Sequence, residues 1–288
     1  MPNKALKRGG FMPSIYLFRL KAIKAAQGAL FEKRISREEF LTSVIESKPS
    51  EELREGYIWH VGNVLNVGKD GLLFAAGRTT KKSKELYDEE SGDFIQVEDE
   101  ESPFTYVYYD RKYSILAIEP KSKLSPTVKG IANNLEKLFN QQALVRDFGA
   151  KIEISEIWDP EDFLKQIWAA YSVVGFTVEF SNPNPFDVEA DFHRPMERYL
   201  ESTGGKKGKT TVQGDDLDRN SIEKVTRSVA STGNDASARI RHEEKQRPVT
   251  RHLRGDPVSI AFDEEERQEP KGLMERIREA YARIRRQD

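Results

Sequence analysis

Between residues 57 and 120 the chain is written as four strand-like runs, "GYIWHVGNVLNVG", "GLLFAAGRT", "FTYVYYD" and "YSILAIEP", each bounded by Gly, Asp or Pro. Turn residues between β-rich runs are the signature of strands that meet their neighbours directly. "FTYVYYDRKYSILAIEP" predicts a hairpin turning at Asp110, Arg111 and Lys112. Between the second and third runs, "KKSKELYDEESGDFIQVEDEES" changes from basic to acidic and is expected to be a long solvated excursion. An opening strand is expected at "SIYLFRLKAI", and "SREEFLTSVIES" predicts a helix with Ser36 as N-cap and Glu39 at capping-box spacing. In "SPTVKGIANNLEKLFNQQ" a second helix is expected, with Ser125 as cap, Pro126 at its first position and Val128, Ile131, Leu135 and Leu138 on one face.

From residue 148 onward the pattern is mixed again. "KIEISEIW" and "SVVGFTVEFSNP" predict strands on either side of a helix at "DPEDFLKQIWAAY", with Asp159 and Pro160 at its start. "DVEADFHRPMERYLEST" is expected to be helical in part, "GGKKGK" a flexible basic loop, "TTVQG" a short strand and "DRNSIEKVTRSVAST" a helix. "RIRHEEKQRPVTRHLR" is expected to pair with "DPVSIAF", and "LMERIREAYARIRR" closes the chain as an amphipathic helix. Regular βα alternation is missing, so a doubly wound sheet is excluded. The expected class is α+β: two mixed α/β units with mainly antiparallel sheets and a C-terminal amphipathic helix. The expected division is 1–147, with a charged loop near 81–102, and 148–288, with a basic β-ribbon and the terminal helix.

Composition narrows the chemistry. Charged residues make up 33% of the 288 positions and aromatic ones 10%, which fits folded units with charged loops. The formal net charge of −2 gives no whole-molecule attraction to an anionic partner, so nucleic-acid affinity must come from a local patch. The absence of cysteine removes disulfides, thiol nucleophiles and Cys-based metal sites. No apolar run approaches the roughly 18–20 residues that span a bilayer. "FMPSIYLFRLKA", interrupted by Pro13 and Arg19, is a poor signal peptide. The expected compartment is the cytoplasm.

Three catalytic patterns are present and each lacks its context. "TGGKKGKTT" ends in Gly208-Lys209-Thr210 as a P-loop does, but Thr203 stands where the first glycine belongs, and a helix precedes it where a strand is needed. Glu243 and Lys245 make the Glu-x-Lys half of a metal-dependent nuclease site, with Asp235 as its upstream acid. The charge-rich flanks are unlike the apolar core such a site requires. Arg247 and His252 have the Arg-x4-His spacing of helical toxin ribonucleases, but Pro248 opposes a helix there. The four histidines (His60, His193, His242, His252) have no metal-ligand spacing. The residues make no positive case for an enzyme, and no cofactor or metal is expected.

What remains is basic charge in the second half. Six of the sixteen residues 239–254 are Lys or Arg. Alternation puts Arg239, Arg241 and Glu243 on one strand face with Ile240 and His242 on the other. Arg247, Arg251 and Arg254 recur after the turn, and Lys245 lies within it. Lys206, Lys207 and Lys209 precede this ribbon, Lys224 and Arg227 lie on the helix before it, and Arg276, Arg278, Arg283, Arg285 and Arg286 on the last helix. A two-stranded ribbon of this kind can lie against phosphates or enter a DNA groove. The opposing expectation is a solvated hairpin whose arginines pair with Glu243, Glu244 and the "DEEE" run.

The layout also resembles a known family. "REGYIWHVGNVLNVGKDGLLFAAGRTT" followed by "SPFTYVYYDRKYSILAIEPKSKLSPTVKGIANNLEKLF", with Leu124-Ser125-Pro126 at a helix start, is similar to the RexA-type phage-exclusion proteins and to a related bacterial domain family of unknown function. "VVGFTVEFSNPNPFD" and the terminal "AYAR" extend the resemblance over most of the chain. It implies a dimeric, DNA-associated sensor or effector of phage exclusion or antiviral defence, with a membrane protein or another defence component as partner. The expected function is therefore non-catalytic binding of double-stranded DNA without sequence preference. A metal-dependent nuclease and an interaction scaffold without nucleic acid are the alternatives.

Overall fold

The computed structural model describes residues 13–24, 35–181, 196, 199–200, 202–205 and 207–285. Eight strands come first: β1 (Ser14–Lys24), β2 (Ser50–Arg54), β3 (Tyr57–Val67), β4 (Gly71–Asp88), β5 (Asp93–Glu101), β6 (Phe104–Asp110), β7 (Ile115–Ile118) and β8 (Ala150–Glu156). Four more, β9 (Ser172–Ser181), β10 (Lys207–Gln213), β11 (Ala236–Arg241) and β12 (Val249–His252), form a second sheet in the order β10-β9-β11-β12, and β13 (Ser259–Ala261) returns to the first. The larger sheet has nine strands in the order β13-β1-β7-β6-β4-β3-β2, with β5 on β4 and β8 on β1. All these pairings are antiparallel, and the class is α+β as expected. The described helices are α1 (Arg37–Glu46), α2 (Val128–Asn140), α3 (Ala143–Asp147), α4 (Glu161–Ala169), α5 (Arg219–Ser231), α6 (Glu264–Gln268) and α7 (Pro270–Arg285).

Strand β1 organises the body because it is buried on both faces. Phe18, Leu20 and Ala22 join one core with Trp59, Phe74, Val107 and the apolar stripes of α1 and α2. Ile15 and Leu17, of opposite parity, join a second core with α4, α5, α7 and the inner face of the small sheet. One edge of β1 pairs with β7, and the other with β13 and then β8. The 147/148 division therefore does not separate the sheets: β8 and β13, both beyond it, complete the larger one. "DPVSIAF" pairs with β1 rather than with the basic stretch, which folds back on itself as β11 and β12. Ile260 and Phe262 are buried in the second core, so tertiary burial decides this pairing.

Local signals fare according to how local they are. Ser36 and Glu39 form the expected capping box, each side chain reaching the other's backbone N–H. Helix α2 is capped by Thr127, whose hydroxyl accepts from the Gly130 amide, so the helix starts later than the Ser125 cap implied. The acidic excursion is a regular arm. Strand β4 runs on to Asp88 and pairs with β5, turning through Gly92, whose φ of +74° is the left-handed region open to glycine. Lys207 to Lys209 are strand, not loop, since β10 begins at Lys207. Helix α7 presents Leu273, Met274, Ile277, Tyr281 and Ile284 to the second core. Each such fully buried side chain contributes about 1.5–3 kcal/mol, and the apolar stripe of this helix is consumed inside the chain. Among the described residues, no helix is long and apolar enough to cross a membrane.

Candidate nucleic-acid interface

The small sheet has one covered and one open face. Phe176, Val178, Ala236, Ala238 and Ile240 point into the second core, and α5 packs beneath them with Ile222 and Val229. Residues opposite each other in an antiparallel pair share a face, so the register writes the open face as rows. Gln213, Gly175, Arg239 and Thr250 form one row, and Thr211, Thr177, Ser237 and His252 the next. Beyond Arg239, Arg241 stands opposite Ser172; at the other end Lys209 stands opposite Glu179 and Lys207 opposite Ser181. The Arg239 stem lies over Gly175, where a Cβ would meet it in ordinary contact at 3.5 Å. The middle of the face is a floor of hydroxyls, with Thr177 and Thr211 hydrogen-bonded at 3.0 Å.

Its position is fixed from below. Asp218 caps α5 by accepting from the Ser221 amide. Asp216 Oδ1 accepts the Val173 amide at 2.8 Å, tying the start of β9 to the start of α5. That backbone hydrogen bond, with help from Arg219, holds the Asp216 carboxyl below the ordinary carboxylate range. Arg227 spans from Glu223 to Glu161 of α4, at 2.8 Å to each carboxylate. Burial pushes Glu223 up, but hydrogen bonds from Arg227 and Trp168 outweigh it and hold the group low.

The candidate basic residues divide into three groups. Arg239, Arg241, Lys245, Arg247 and Arg251 carry no ion pair or side-chain hydrogen bond among the described residues, and Glu243 and Glu244 do not neutralise them. The Nε of Arg241 is shielded from solvent without a hydrogen-bond partner there. Arg254 pairs with Asp235 at 3.8 Å and Lys209 with Glu179 at 3.5 Å, so these two are partly neutralised. Lys207 stands exposed at the start of β10, and Lys206 lies outside the described residues. The hairpin does not put all its arginines on one surface. Arg251 stands opposite Ala238, on the reverse face from Arg239 and Arg241. Two arginines of α7 are committed to the body instead. Arg278 binds Asp110, and Arg276 binds Glu266 and the Ala261 carbonyl. Arg286 and His193 lie outside the described residues.

The catalytic patterns are taken apart by the same geometry. Asp235 and Glu243 lie beyond opposite ends of β11, whose span of about 20 Å separates them. Asp235 instead faces Arg254. Among the described residues no group of three or more His, Asp or Glu side chains is arranged to hold a metal. Arg247 sits in the turn and His252 ends a strand, so they do not project from one helix. Gly208 lies in β10, its amide plane committed to the ladder with Phe180 rather than curled round a phosphate. His60 is held between Ser50 and Thr79, 2.9 Å from each hydroxyl.

The sequence residues 22–259 match one family model, DUF4747, a domain of unknown function. The chain belongs to that family. The DUF4747 match takes in the whole of the small sheet and both strands of the basic hairpin. No curated protein matches the chain.

Sequence reasoning missed the hydroxyl floor of Thr177, Thr211, Ser237 and Thr250, together with Gln213 and His252. The available signal was the alternation of polar with apolar residues in "SVVGFTVEFS" and "ASARIR". Alternation marks a half-buried strand but does not say that two such strands lie side by side.

Proposed function

We propose that this DUF4747 protein is a non-catalytic nucleic-acid-binding component of phage exclusion or antiviral defence. It grips double-stranded DNA through phosphates on the open face of its small sheet. The observation that carries this reading is that Arg239, Arg241, Lys245, Arg247 and Arg251 make no ion pair among the described residues, in a chain with 48 acidic residues. Arg239 and Arg241 lie on an open face floored by hydroxyls, and arginine, serine and threonine are the usual donors to phosphate oxygens. The rows of that face hold no Phe, Tyr or Trp, which favours a duplex backbone over stacking on unpaired bases. With few groups suited to base edges, binding is sequence-nonspecific and driven by counterion release. Membership of phage exclusion, action as a homodimer and a membrane-protein or other defence partner are supported by the resemblance of the layout to RexA-type proteins.

The test is a mobility shift with two unrelated duplexes across a salt series. Both are retarded equally at low salt, and both shifts vanish as salt rises. No shift at low salt removes the reading and leaves an interaction scaffold. Plasmid nicked by the protein with magnesium or manganese would replace it with a nuclease.

A further inference from the structure

A second charged ribbon stands on the opposite part of the chain. Beyond Thr80, strand β4 leaves β3 and pairs with β5 alone, in register from Thr80–Glu101 to Asp88–Asp93. At about 3.3 Å per residue the arm reaches about 25 Å past the sheet. Its root is basic, with Lys81 3.6 Å from Glu98 across the ribbon, but from residue 85 to residue 97 it carries five carboxylates (Glu85, Asp88, Glu89, Glu90, Asp93) and no cation. Its outer end is also apolar. Leu86 lies opposite Ile95 on one face and Tyr87 opposite Phe94 on the other, with Tyr87 56% and Phe94 83% exposed. The two rings meet edge to face at 5.2 Å. A lone two-stranded ribbon is marginal in water, and apolar pairs on both faces of one mark a surface that meets protein.

The basic hairpin is the complement in both respects. It offers Arg239, Arg241, Lys245, Arg247 and Arg251 without ion pairs among the described residues. Beside them Val249, Trp168 and Tyr171 are exposed, the last bonded through its amide to the Arg241 carbonyl at 2.9 Å. We propose that the acidic arm of one copy lies against the basic hairpin of a second copy, the two chains exchanging arms about a two-fold axis. Such an isologous contact closes as a dimer and repeats each arm–hairpin pair twice. The consequence for DNA rests on the function proposed above: the partner's arm and the duplex compete for the same cations.

Sedimentation without nucleic acid tests the contact. The wild type is expected to be a dimer at low salt that dissociates as salt rises. Tyr87→Ser with Phe94→Ser, and separately Arg247→Glu with Arg251→Glu, are expected to give monomers with unchanged circular dichroism, since all four side chains are exposed. Mixing the two variants restores a heterodimer, weaker than the wild type, through the one intact arm–hairpin pair. A wild type monomeric at low salt, a dimer undiminished in either variant, or a mixture that stays monomeric overturns the proposal. A dimer that ignores DNA would refute only the proposed function, and a monomer that binds DNA would refute only the arm exchange.

Discussion

The arginines of the body and those of the basic hairpin are in opposite situations. In the body, Arg19 is fully buried and donates to the Tyr113 carbonyl and the Tyr281 hydroxyl. Arg267 holds Glu119 and Glu264, Arg276 holds Glu266, and Arg278 holds Asp110. On the hairpin, Arg239, Arg241, Arg247 and Arg251 hold nothing among the described residues. Acids are abundant in the chain, so the difference is one of placement. Where cations serve folding, carboxylates and carbonyls are brought to them; at the hairpin, Glu243 and Glu244 make no ion pair among the described residues, and the acids beside the sheet engage other cations. Asp235 goes to Arg254 and Glu179 to Lys209. The same contrast separates the two ribbons, since the outer end of the arm carries carboxylates without cations and the hairpin carries arginines without ion pairs among the described residues.

Removing one arginine from each group breaks or sharpens this contrast. The largest expected effect is on the body. Asp110 is fully buried, and Arg278→Ala removes its ion-pair partner while the Tyr113 amide stays bound to it. Stripping one partner from a buried pair costs about 3–5 kcal/mol, which urea unfolding would read as a large drop in midpoint. Arg239 is exposed and Arg241 half-buried without an ion pair among the described residues, so Arg239→Ala with Arg241→Ala should lower stability far less than Arg278→Ala. DNA affinity should nonetheless fall about tenfold per contact, the scale of a hydrogen bond to a charged group. Arg251→Ala, on the reverse face, should weaken binding less than either; an equal loss would move the interface from the open face to the whole hairpin.

The smallest effect is on the arm. Hydrogen bonds to Ser91 and then to the Glu90 amide hold the Asp88 carboxyl below its ordinary value. Its folded pKa is therefore depressed, and its contribution to the turn is present above the unfolded value of about 3.9. That contribution is lost as pH falls through the folded pKa. Amide exchange at Gly92 and Phe94, taken relative to the intrinsic rate at each pH, should accelerate in acid below that point while exchange at Arg239 does not. Parallel acceleration at both would show that the arm and the hairpin unfold together.

What was legible in the sequence follows the range of the interactions. The Ser36–Glu39 capping box lies within one turn, and the Asp110 hairpin within one loop, so local spacing reveals both. The arginine alternation of β11 was equally plain. That Arg251 faces away from Arg239 was not, because the parity of β12 depends on how many residues the turn consumes. The partner of "DPVSIAF" is β1, separated from it by most of the chain, and no local pattern encodes that pairing. In the sequence the arm reads as a loop because a ribbon charged on both faces lacks the one-sided apolar stripe that announces a strand. Its Leu86, Tyr87, Phe94 and Ile95 were the overlooked signal.

The measurement that bears most directly on the open-face interface is the slope of log affinity against log salt for a short duplex. Each phosphate contact contributes about 0.9 to that slope. The wild type should fall linearly and steeply, and the Arg239→Ala, Arg241→Ala protein should give a line shallower by about two, with its fold intact. Identical slopes for the two proteins, or no binding by the wild type at the lowest salt, would contradict it.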